Sequence, residues 1–84
     1  MLLEAILVAV LTVDTLDTQQ LEQYYWDCDT AYMQQQLSGQ DLNSCLAITE
    51  EFQQRRFKMD RGEFMQYWND RKWEEWAKRG LHTS

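Results

Sequence analysis

Residues 59–64 read MDRGEF: an apolar Met59, a capping Asp60, an acid three positions on at Glu63, and a second apolar residue, Phe64. The first turn of a helix leaves backbone N–H groups without acceptors. Asp60 can take one of them, Glu63 can reach back to the capping residue, and Met59 with Phe64 can staple the approach of the chain. The same device stands at Leu16-Asp17-x-x-Gln20-Leu21 and at Leu37-Ser38-x-x-Asp41-Leu42, with Gln and Asp as weaker substitutes for Glu. The capping positions 17, 38 and 60 are 21 and 22 residues apart, which reads as punctuation between helices.

These starts predict helices over 18–36, 39–57 and 61–79, with Gly80 as a left-handed stop. The chain contains no proline, so no backbone donor is missing anywhere along it. Residues between the boxes do not resemble one another, which argues against a solenoid. Each segment carries an inner stripe at helical spacing: Leu21, Tyr25, Cys28 and Tyr32; Leu42, Cys45, Leu46, Thr49 and Phe52; Phe64, Met65, Trp68 and Trp76. Short connections make successive helices antiparallel neighbours. The expected fold is all-α, an antiparallel three-helix bundle formed by a single domain over 14–84, with a short polar tail from 80.

Eighty-four residues, 44% of them apolar and 13% aromatic, are enough for one small core and too apolar for a disordered chain. The net charge of −6 is unevenly spread. Residues 1–54 carry nine acids and no lysine or arginine, whereas all eight bases lie between Arg55 and Arg79 among five acids. The two parts are therefore −9 and +3. Glu51 with Arg55, Glu74 with Lys78 and Glu75 with Arg79 are acid-first pairs at four-residue spacing, expected on solvated helix faces.

The first thirteen residues, MLLEAILVAVLTV, differ from the rest. As a helix they would reach roughly 20 Å at about 1.5 Å per residue, short of a hydrocarbon layer of about 30 Å. They are expected to be an apolar arm, an extra helix or a strand, buried on the bundle or on a partner. The alternative is the apolar region of an export signal, against which stands Glu4 where a base belongs. Cys28 and Cys45 fall on facing stripes at similar depth. Buried thiols in a reducing cytoplasm are the first expectation, and a Cys28–Cys45 disulfide is the alternative that accompanies export.

Three tryptophans crowd the stretch YWNDRKWEEWAKRG, residues 67–80. Trp68 and Trp76 lie on the inner arc of their helix, whereas Trp73 falls beyond it, as do Trp26 and Met33 on the first helix. This surplus reads either as a second packing surface for residues 1–13 or as a contact surface, because Trp and Met are enriched at interfaces. No arrangement of residues points to an enzyme, a cofactor or a metal. His82 is the single histidine and lies in the tail, and two cysteines with it do not make a zinc site. Asp27-Cys28-Asp29 opens like a calcium loop but lacks the glycine that follows, and there is no phosphate-binding glycine loop.

The function expected is therefore non-enzymatic: a protein–protein interaction or assembly protein, of the size of phage and mobile-element accessory proteins, bound to a protein partner or to further copies of itself. The residues expected to make that contact are Leu2, Leu3, Ile6, Leu7, Val10, Trp26, Met33 and Trp73. A small exported protein with the Cys28–Cys45 disulfide, touching a membrane surface through residues 1–13, is the alternative. An acidic mimic of DNA is a further one. Nucleic-acid binding itself is not expected, since acids are mixed among the bases and the rest of the chain repels phosphate.

Overall fold

The computed structural model describes residues 15–81. Within them run α1 (Thr18–Met33), α2 (Gly39–Phe57) and α3 (Arg61–Lys78), and no strand is present among the described residues. The fold is a small all-α bundle, as the three starts require. Arm positions Leu2, Leu3, Ile6, Leu7 and Val10, and His82, lie outside the described residues.

All three helices begin where the boxes put them, yet the boxes are used unequally. Asp17 accepts from the Gln20 backbone N–H at 2.7 Å and its own N–H donates to the Gln20 side chain at 3.1 Å, a complete box. Asp60 accepts from the Glu63 N–H at 3.0 Å. Ser38 is extended as a cap should be, but its side chain makes no capping bond, and the Asp41 N–H is satisfied by the Ser38 carbonyl at 3.1 Å. A glutamine oxygen thus completes the box that reads as weaker in sequence.

The helix ends depend on left-handed residues. Gly80 (φ 90) stops α3 as expected, with Leu81 N–H reaching back to the Trp76 carbonyl and Gly80 N–H to that of Ala77. That doubly bonded stop satisfies two carbonyls and lets Leu81 pack on the core. The same pair of bonds ends α1, from Gln36 to Ala31 and from Gln35 to Tyr32, with Gln35 at φ 58 in the glycine position. α1 therefore stops at Met33, three residues before the expected 36. Between α2 and α3, Lys58 (φ 51) and Met59 (φ 64) are both left-handed, and Met59 is half exposed.

α1 and α2 form an antiparallel hairpin. At one end an Arg55 N–H of the guanidinium donates to the Leu16 carbonyl; further along, Cys28 and Cys45 are joined by a disulfide with their Cα atoms 5.5 Å apart. The expectation of two reduced thiols is thereby corrected in favour of the bonded alternative. α3 does not run along this hairpin. Tyr67, Trp68, Trp76 and Arg79 all meet α1 between Glu22 and Asp29, so about 18 Å of α3 lands on about 10 Å of α1. Such convergence means that α3 crosses α1.

The core consists of Leu21, Tyr25 and Trp26 from α1, Ile48, Phe52 and Phe57 from α2, and Phe64 and Trp76 from α3. Tyr25 stacks on Phe52 with centroids 5.0 Å apart, and Phe57 meets Phe64 edge-on at 5.5 Å. Burying each such ring contributes about 1.5–3 kcal/mol. Trp26, expected on a partner-facing surface, is fully buried. The reason lies in the crossing helix. On a wheel of about 100° per residue, Trp26 falls between Glu22 with Asp29 and Gln23 with Asp27, the residues that hold α3. One stripe per helix is too few where a helix has two neighbours.

Candidate interaction groove

Trp68 and Trp76 both donate their indole N–H to one oxygen of Asp29, at 3.1 and 2.7 Å. One helical turn apart twice over, Glu22 receives Trp26 Nε1–H at 3.2 Å and the Tyr67 hydroxyl. The acids of α1 thus satisfy the polar tips of the aromatic core, which is why charge surrounds the tryptophans. Burial, reinforced by the neighbouring Asp29 carboxylate, pushes the Tyr25 phenol far above its ordinary value of 10.0. Burial and the hydrogen bond to Glu22 push Tyr67 up to about 12.

The bases serve the same scaffold. Lys72 Nζ lies 4.2 Å from the Trp68 ring centroid and 5.2 Å from that of Trp73; Arg71 lies 4.7 Å over Tyr67, and Arg56 is 5.1 Å from Phe57. Arg79 bonds Asp27 at 2.6 Å, Glu75 at 2.8 Å and Gln23 at 2.8 Å, which ties the end of α3 to the middle of α1. Glu75 and Arg79 are largely sheltered, so their pair is part of the helix–helix contact rather than a solvated face. Burial alone would raise the Glu75 carboxyl, but hydrogen bonds and charge from Arg79 and Lys78 hold it below its ordinary 4.5.

Because α3 leaves α1 at Asp29, the last turn of α1 and the facing side of α2 stay uncovered. Three residues of the expected inner stripes are consequently open to solvent: Tyr32 at 62%, Leu46 at 58% and Met65 at 42% exposure. They lie on one apolar groove of about 360 Å³, with Leu37, Leu42 and the Cys28–Cys45 disulfide also in its lining. Tyr32 and Leu37 also border a second cavity of about 410 Å³, lined in addition by Gln35 and by Met33, which is 45% exposed. In the first turn of α2, Asp41 keeps one carboxylate oxygen out of water with no hydrogen-bond partner.

Of the residues expected to make contact, Met33 and Trp73 are exposed and Trp26 is not. Met33 lines the second cavity, which shares Tyr32 and Leu37 with the groove. Trp73 stands elsewhere on α3, edge-on to Trp76 at 5.3 Å, and does not line it. Tyr32, Leu46 and Met65 were missed as surface residues because they continue the apolar stripes without a break; only the crossing of α3 tells covered turns from uncovered ones. Among the described residues, no group of three His, Cys, Asp or Glu could hold a metal, and no helix is long and apolar enough to cross a membrane.

Compared with family models, with curated proteins and with solved structures, the chain matches none.

Proposed function

We propose that this protein is a non-enzymatic binding module that receives a protein partner in the groove between the α1–α2 hairpin and the start of α3. The observation that carries this reading is the gathering of Tyr32, Leu46 and Met65, apolar and exposed, along a single groove whose wall includes a disulfide. A small monomer gains nothing from leaving three stripe residues in water, whereas a partner that covers them recovers their transfer free energy. Met65 and the leucines can repack around differing side chains, which suits a docking surface. Met33 belongs to this surface; Trp73 is a separate exposed ring.

The test is copurification from the native host with the wild-type chain and with Leu46→Ser and Met65→Ser, each first shown by circular dichroism to be folded. A partner retained by wild type and lost from both variants is the expected result. Equal retention by all three would overturn the reading.

The disulfide supports a second element of the proposal, that the protein works in an oxidising compartment, with residues 1–13 as its export or membrane-surface segment. Mass spectrometry of the protein from its own host checks this. Two alkylatable thiols would count against it.

A further inference from the structure

We infer that the groove is the seat of this chain's own residues 1–10, MLLEAILVAV, which a protein partner must displace. This rests on the groove being a docking site and on residues 1–13 staying attached to the chain, and it goes on to name what regulates that site. The lining sets the chemistry of the occupant. Asp29 is its one charged member, and Asp29 already takes the indole N–H groups of Trp68 and Trp76. The rest is rings, leucines, Met65, Thr49 and the disulfide, so the side chains that fit there are apolar. Two stretches of the chain lie outside residues 15–81. Residues 82–84, His-Thr-Ser, have nothing apolar to place in the groove, whereas residues 1–10 carry a single charge, Glu4.

Register and reach both fit. Along α2 the wall runs from Leu42 to Thr49, about 10 Å. Leu3 to Val10 is the same separation in sequence. On a wheel of about 100° per residue Leu3, Ile6 and Val10 fall within about 60° of one another, and Glu4 is at least about 100° from each. As a docked helix the segment would set anchors at i, i+3 and i+7 against the wall and leave its acid in water. The tether is long enough. Leu16 is held beside Arg55, whose guanidinium donates to its carbonyl. From Arg55 the wall starts at Thr49 and ends at Leu42, about 9 and 20 Å back along the axis of α2. Arg55 also lies about 120° round α2 from Thr49, so the chain has to pass a helix roughly 10 Å across. Residues 11–15, extended at about 3.3 Å each, supply about 16 Å for that passage, and residues 1–10 as a helix supply about 15 Å for the wall. A segment tethered so close meets the groove at an effective concentration near millimolar, an advantage that no free copy of it has.

Photo-crosslinking in the oxidised full chain tests the seat, with Ile6→p-benzoylphenylalanine, an equimolar mixture of light and heavy-isotope chains, and mapping of the product by mass spectrometry. The expected product joins position 6 to residues 42–49 or 64–68 of the same chain, and Leu46→Ser and Met65→Ser each lower its yield about fivefold. Displacement is read by fluorescence anisotropy with a labelled synthetic peptide of residues 1–13 carrying a polyethylene glycol tail for solubility. The full chain with Leu3→Asp and Val10→Asp, whose own segment no longer suits the groove, is expected to bind this peptide about tenfold more tightly than wild type, and Leu46→Ser added to it removes the gain. A cross-link to these residues of another chain overturns the intramolecular seat and makes a second copy the occupant. A cross-link elsewhere on the bundle, or none, overturns the inference; the groove then stands as a docking site if the serine variants still lose the copurifying partner. Equal binding of the peptide to the two chains, or to neither, overturns the displacement. A partner retained equally by wild type and serine variants, with the cross-link inside the groove, overturns the docking site and the regulation with it.

Discussion

Trp76 places its indole nitrogen 2.7 Å from the carboxylate of Asp29, across the crossing of α3 over α1. Trp68 uses the same oxygen from the other side. One acid thereby fixes two indoles whose N–H groups would otherwise be desolvated without an acceptor. Asp29→Ala is expected to cost about 2–4 kcal/mol, since it removes a charged acceptor and strands two donors. Asp29→Asn, which keeps one oxygen, is expected to lose markedly less. Urea unfolding followed by tryptophan fluorescence measures both, and equal losses would mean that the two indole bonds carry little.

Stability should have a plateau bounded by different groups. Glu75 has a lowered folded value, so its contribution is present above about pH 4.5 and is lost as pH falls through that lowered value. Tyr67 has a raised one, so its contribution is full below pH 10.0 and is lost as pH rises towards about 12. Arg79→Met is expected to shrink the acid-side dependence by releasing Glu75, and Tyr67→Phe the alkaline one by removing the phenol that Glu22 holds. Denaturation midpoints recorded across pH, for wild type and both variants, check the signs.

The disulfide closes a loop between positions 17 apart in the chain. On the loop-entropy account it contributes about 3 kcal/mol. Reduction with dithiothreitol, or Cys28→Ala with Cys45→Ala, is expected to lower the thermal midpoint by more than ten degrees for a domain of this size. It should also loosen the groove wall, read as weaker retention of the partner at temperatures where the reduced chain is still folded.

Gln35 and Lys58 occupy left-handed backbone without the freedom of glycine. Gln35→Gly and Lys58→Gly are each expected to stabilise the fold by up to about 1 kcal/mol, because the relief of left-handed strain exceeds the entropy that glycine adds to the unfolded chain. Chemical denaturation of the single variants and of the pair would show it; the sites are far enough apart along the chain for additive shifts.

The three helix starts, the Gly80 stop and the all-α class were legible in the sequence, because a capping residue, its partner and the flanking apolar pair lie within six consecutive residues. Their energetics are local, so adjacency in sequence suffices to reveal them. The end of α1 was not legible, since nothing in Gln34-Gln35-Gln36 announces a left-handed turn. Nor was the fate of Trp26, Tyr32, Leu46 and Met65. Burial is a property of what lies opposite, and the angle at which α3 crosses α1 is fixed by contacts such as Asp29 with Trp68 and Trp76, 39 and 47 residues apart. That angle covers Trp26 and leaves the groove open. Where helices begin and how apolar each face is follow from residues next to one another in the chain; which of those faces meet and which one faces water follows from side chains brought together over long separations, and no local pattern encodes that.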